Sequence, residues 1–91
     1  MVEIEISGPG KNALGTELIA SLTERINAAD GAPIVFHGAG DAFSAGLNLK
    51  EVASLDEDGM DGFLDRLVTF FQRVWLYPGP TVAAVNGHAI A

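Results

Sequence analysis

The stretch Phe43-Ser44-Ala45-Gly46-Leu47-Asn48-Leu49-Lys50-Glu51 (FSAGLNLKE) decides how the rest of this chain is read. Ala45 and Gly46 are small, so a ligand can approach the backbone there, and glycine reaches dihedral angles that other residues avoid. Asn48 is a strong helix N-cap type, and Glu51 stands where a capping box places its carboxylate. Leu47 and Val52 flank that cap as a hydrophobic staple would. A short helix is therefore expected from Asn48, with the N–H of Leu47 just ahead of it, near the positive end of the helix dipole. A free N–H in that setting can stabilise a developing oxyanion, and one such donor is worth about 3 kcal/mol in a transition state. On the residues alone, a plain strand-to-helix connection made of small residues is the commoner explanation.

Outward from this loop the chain alternates. Upstream, Ile34-Val35-Phe36-His37 is a short β-branched and aromatic run, which predicts a strand buried on both faces, followed by the turn Gly38-Ala39-Gly40. Val2, Ile4 and Ile6 alternate with Glu3 and Glu5, the pattern of a half-buried strand, and Ser7-Gly8-Pro9-Gly10 breaks it. Leu18, Ile19, Leu22 and Ile26 share a face at helical spacing, predicting a helix over 16–29 with Gly31 just past its end. Downstream, Asp56-Glu57-Asp58-Gly59 is a polar break that also suits a helix N-terminus, and a helix is expected from Met60 to Leu76. Its apolar stripe is read as Leu64, Leu67, Val68, Phe71, Val74 and Trp75, and Pro78-Gly79-Pro80 stops it. A third strand follows over 81–85. The order strand, helix, strand, short helix, helix, strand predicts an α/β fold with right-handed crossovers and at least partly parallel strands. The last strand has nothing after it to cover it, a liability that points to truncation or a required partner.

Ninety-one residues allow one small domain, and 48% hydrophobic residues is a high share for that size. The absence of cysteine removes disulfides and thiolate metal sites, and is compatible with a cytoplasmic location. A net charge of −7 argues against a nucleic-acid partner. MVEIEISG alternates where a signal peptide would carry a basic region and an apolar run, and no apolar stretch is long enough to span a bilayer.

Within the chain, other chemistry-bearing residues have ordinary explanations. Asp41 sits in a turn, Glu51 caps, and Asp56, Glu57 and Asp58 form a solvated charge run. His37 and His88 read as structural and have no partners at metal-ligand spacing. Gly38-Ala39-Gly40 lacks the third glycine of a dinucleotide fingerprint, and Gly10-Lys11-Asn12 lacks the P-loop spacing. Asn86-Gly87 would pass as a hairpin turn on sequence alone. Phe70, Phe71, Trp75 and Tyr77 are expected to be core.

Three segments resemble one family in order and spacing. Val35 to Glu51 (VFHGAGDAFSAGLNLKE) is similar to the first signature of the enoyl-CoA hydratase/isomerase family, the crotonase superfamily, and Thr81 to Ala91 (TVAAVNGHAIA) to its second. Pro9 to Leu14 (PGKNAL) resembles the family's segment between first strand and first helix. The resemblance implies the N-terminal portion of a crotonase-like ββα spiral fold: a single partial domain over 1–91, incomplete because it stops before the glycine-rich segment holding the second oxyanion donor. It implies enolate-stabilised chemistry on an acyl-CoA thioester, foremost hydration of a 2-enoyl-CoA, with double-bond isomerisation or an inactive, partner-seeking fragment as the alternatives. By the same resemblance, the Leu47 N–H is the first oxyanion donor, the backbone around Phe43, Ala45, Gly46 and Leu47 holds coenzyme A, and Lys11 and Lys50 are candidate phosphate contacts. Coenzyme A enters as part of the substrate, with no separate cofactor and no metal. The resemblance also overrides the hairpin reading of Asn86-Gly87 in favour of a turn at Gly87 leading onward. The high apolar share and the open last strand point to a homo-oligomer or association with a complementary chain. Two positions depart from the family pattern: Asn48 stands where Asp is usual, and Leu47 where hydratases often carry Ala. Asn48→Asp exchange would preserve the cap and change the charge beside the loop.

Overall fold

Val2, Ile4 and Ile6 form one face of a strand, β1 (Val2–Ile6), and its partner strand presents Ile34 and Phe36 on the same face. The computed structural model describes residues 1–90; Ala91, the last residue of the second signature, lies outside them. Along the chain, β1 is followed by a single turn α1 (Pro9–Asn12), helix α2 (Thr16–Ala29), β2 (Ile34–Gly38) and β3 (Ala42–Ser44). Then come the short helix α3 (Leu49–Ser54), the long helix α4 (Glu57–Trp75), β4 (Thr81–Ala84) and β5 (His88–Ala89). The sheet β1-β2-β4 is parallel throughout, so each connection must cross back over it, and helices do so.

The core lies between one face of this sheet and α2 and α4. Ile4, Ile6, Ile34 and Phe36 meet Ile19, Leu22 and Ile26 from α2 and Phe63, Leu67 and Phe70 from α4. The opposite sheet face carries Glu3, Glu5, Val35 and His37 in register, and the two β2 residues are half-buried. The expectation that β2 is buried on both faces is thus corrected. Both helices that supply core residues pack on one side, and β4 is exposed along its whole length.

Helix α4 differs from the sequence reading in two ways. It begins at Glu57, three residues before the expected Met60, because the Asp56 carboxylate accepts the Gly59 N–H at 2.7 Å and turns the acidic run into an N-cap. Its buried line is Phe63, Leu67 and Phe70, with Val74 half-buried, whereas Leu64, Val68, Phe71 and Trp75 face outward. The helix carries two adjacent apolar lines one residue apart, about 100° around the axis. Periodicity detects the broad apolar arc but not which half meets the sheet. The aromatic cluster splits accordingly: Phe70 is core, Tyr77 packs against the core and donates its hydroxyl to the Ala32 carbonyl, but Phe71 is half-exposed and Trp75 is 87% exposed.

The Asn86-Gly87 pair is not a hairpin turn. β5 pairs in parallel with β3, placing His88 opposite Ala42 and Ala89 opposite Ser44. The Asn86 side chain accepts the Gly38 N–H at 2.9 Å and donates to the Gly40 carbonyl at 3.1 Å. The strand leaving β4 is therefore tied to the turn that precedes the FSAGLNLKE loop. Gly87 is required there, because a Cβ would fall on the Asp41 carbonyl.

Candidate functional site

The loop from Ser44 to Asn48 is held by the turn α1 and the residues after it. In α1, Gly10, Lys11 and Asn12 all adopt left-handed backbone, with φ of 70°, 57° and 62°. For a residue such as Lys11 that costs roughly 1–2 kcal/mol, and asparagine tolerates it better. The conformation turns the carbonyls of Lys11 and Asn12 toward the loop. Lys11 accepts the Ala45 N–H at 3.0 Å, and Asn12 accepts the Ser44 hydroxyl at 2.8 Å. Leu14 then donates to the Gly46 carbonyl at 2.6 Å and accepts the Asn48 N–H at 2.9 Å, an isolated parallel bridge between Leu14 and Leu47. Gly46, with φ of 87°, is buried at the bend. Its N–H is taken by the Ser44 hydroxyl at 3.2 Å.

These bonds account for the N–H groups of Ala45, Gly46 and Asn48. Among the described residues none accepts the N–H of Leu47. Leu47 is 36% exposed as a residue, and it stands on a loop whose neighbouring amides are bonded. Phe43 packs partly against the core and lines a mostly apolar cleft of about 370 Å³, together with Leu14, Ser44, Phe36, Phe70 and Phe71. Ala45 is half-buried beside Gly46. The candidate residues Phe43, Ala45, Gly46 and Leu47 thus lie on one loop segment, with Gly46 buried at its bend.

The lysines stand apart from this arrangement. Lys11 pairs with Asp41 at 3.4 Å, with side chains 61% and 82% exposed, a contact worth about 0–1 kcal/mol. Lys50 is exposed on α3. His37 is half-buried in β2 and His88 exposed in β5; neither side chain makes a hydrogen bond among the described residues. No group of three or more His, Cys, Asp or Glu among the described residues is placed to hold a metal ion, and no described helix is long and apolar enough to cross a membrane.

Glu51 corrects the sequence reading most clearly. Asn48 does cap α3, accepting the Glu51 N–H at 3.1 Å, but the Glu51 carboxylate does not return to the Asn48 N–H, which Leu14 holds. Instead the carboxylate accepts the backbone N–H of Thr16 at 3.1 and 3.2 Å and the Thr16 hydroxyl. The N-cap of α2 is Gly15, which has no side chain to cap with, and a Cβ there would collide with the Glu51 carboxylate. A residue 35 positions away therefore supplies the cap, and the partner was invisible to local spacing.

The sequence reading also missed Asn12 as a named site residue. It is 4% exposed, and its side chain accepts the Gly8 N–H at 3.1 Å and donates to the carbonyls of Ala39 at 2.9 Å and Ala42 at 3.0 Å. An asparagine beside glycine and proline reads locally as turn chemistry, and the signal that could have singled it out is its place inside PGKNAL.

The comparisons with known proteins follow the same segments. The family of enoyl-CoA hydratase/isomerase proteins matches residues 1–91. The chain belongs to the enoyl-CoA hydratase/isomerase family. It is 37% identical over 92 residues to a probable enoyl-CoA hydratase of Mycobacterium tuberculosis, covering 96% of this chain and 36% of that protein. Carboxymethylproline synthase of Pectobacterium carotovorum is 39% identical over 69 residues, covering 72% and 28%. The crystal structure of an enoyl-CoA hydratase from Bacillus anthracis superimposes with a TM-score of 0.83 at 27% identity, over 93% of this chain and 35% of that one. The α/β arrangement is therefore a crotonase-type fold, and this member of the enoyl-CoA hydratase/isomerase family spans about 35% of the length of the relatives it matches.

Proposed function

We propose that this chain supplies the first half of an oxyanion hole in an acyl-CoA enzyme that adds water across the double bond of a 2-enoyl-CoA. The observation that carries this reading is the Leu47 N–H, which has no acceptor among the described residues while the amides on either side are bonded. Water attack at the β-carbon pushes negative charge onto the thioester oxygen, and a donor already aimed at that oxygen lowers the barrier without reorganisation. The bonds from Lys11, Asn12 and Leu14 hold the loop in place before substrate arrives. Ala45 and Gly46 let the thioester approach the backbone, and Phe43 borders an apolar cleft able to receive the acyl chain or pantetheine. Lys11 can meet a phosphate by leaving its weak pairing with Asp41.

Proton transfer is assigned elsewhere. Near the loop, Glu51 is engaged with Thr16 and Asp41 faces Lys11. In this reading the second oxyanion donor and the acid and base come from the portion of the family's proteins that this chain does not span. Double-bond isomerisation would draw on the same oxyanion, and one relative of this chain bears the name carboxymethylproline synthase rather than that of a hydratase.

Titration of the ¹⁵N-labelled chain with crotonyl-CoA tests the reading. The Leu47 amide resonance should shift much further with the thioester than with free coenzyme A, at a dissociation constant on the order of 1 mM. No hydrated product should form. A Leu47 amide that ignores crotonyl-CoA rejects the donor role, and turnover by the chain alone rejects the proposed division of labour.

A further inference from the structure

We propose that Asn12 is the positioning residue of the oxyanion loop, an inference that rests on the reading of Leu47 just given. Asn12 is the one buried polar side chain among the described residues, and all of its hydrogen bonds converge on the two segments that shape this loop. Its Oδ1 accepts the Gly8 N–H and so locks the left-handed turn of α1. That turn aims the Lys11 and Asn12 carbonyls at Ala45 and Ser44. Its Nδ2 donates to Ala39 and Ala42, fixing the other approach to the loop, the turn between β2 and β3. Asn86 reaches the same turn from the far side, bonding Gly38 and Gly40. Asn12 thus spans both the entry to the loop and the segment beneath it, and Leu47 is carried between them.

The side chain has to be an amide. Aspartate has nearly the same shape and also tolerates left-handed backbone, but it would turn a second oxygen toward the Ala39 and Ala42 carbonyls. Glycine suits the backbone at φ 62° and removes every side-chain bond.

Amide hydrogen exchange of Asn12→Asp and Asn12→Gly in the 91-residue chain decides the matter. The Ala45 and Asn48 amides, bonded to Lys11 and Leu14, should exchange about tenfold or more faster in both variants. Leu22 and Ile34, in α2 and β2, should keep wild-type rates. Loop amides at wild-type rates in Asn12→Asp, or equal acceleration of loop and core, overturn the proposal. If Asn12→Asp does not fold, Asn12→Gly carries the same comparison. The ligand-free exchange tests Asn12 alone, whereas the crotonyl-CoA titration of the unaltered chain tests Leu47 alone, so the two failures are told apart.

Discussion

Replacing Glu51 should destabilise a helix that begins 35 residues earlier in the chain. Its carboxylate accepts the N–H and the hydroxyl of Thr16 at the start of α2, where Gly15 offers no cap of its own. Loss of an N-cap acceptor costs about 0.5–2 kcal/mol, and removal of a negative charge from a helix N-terminus a further 0.3–1 kcal/mol or so. Glu51→Ala should therefore cost about 2 kcal/mol. Glu51→Gln, which keeps one acceptor and loses the charge, should cost about 1 kcal/mol. With an unfolding entropy of about 2.1 cal/mol/K per residue over 91 residues, 2 kcal/mol corresponds to a fall of about 10 °C in Tm. Thermal unfolding followed by circular dichroism measures it. A double-mutant cycle with Thr16→Ala isolates the side-chain contact and should give a coupling of about 1 kcal/mol. A shift under about 0.5 kcal/mol for Glu51→Ala would show that the carboxylate is not the cap of α2, and strict additivity with Thr16→Ala would show that it makes no effective contact with the Thr16 hydroxyl.

The two apolar lines of α4 should respond oppositely. Phe63→Ala opens the core and should cost about 3–5 kcal/mol, whereas Trp75→Ala, at an 87% exposed position, should stay within about 0.5 kcal/mol in urea titration; similar losses at both positions would contradict the assigned helix face. Gly38→Ala places a Cβ against the Ala42 carbonyl and 2.6 Å from Phe43 Cα, backbone atoms that cannot swing aside. It should cost about 2 kcal/mol or more and shift the Phe43 and Asn86 amide resonances, and a variant as stable as the parent would show that β2 and β3 are not so closely apposed.

Much of the fold was legible because its signals are local. The alternation of Val2, Ile4 and Ile6, the face Ile19, Leu22 and Ile26, and the N-cap Asn48 each report an environment set within a few residues, and all three appear in the structure. The loop with Leu47 was legible for the same reason. What failed to show were contacts made across the chain. β3 and β5 are three and two residues long, too short for any period, and exist by pairing with each other. The partner of Glu51 and the bonds of Asn12 depend on segments brought together only by folding.

The sequence by itself determined the order of β1, α2, β2, α3, α4 and β4, the position of the small-residue loop and the identity of the residue whose N–H leads into α3, because backbone propensity and periodicity act over one or two turns. The tertiary structure alone decided which half of α4 is core, which helix Glu51 caps and what leaves the Leu47 N–H without an acceptor among the described residues. Those outcomes depend on which groups meet: packing selects one of two similar apolar lines, and a backbone donor goes unpaired only where the fold brings no acceptor within reach of it.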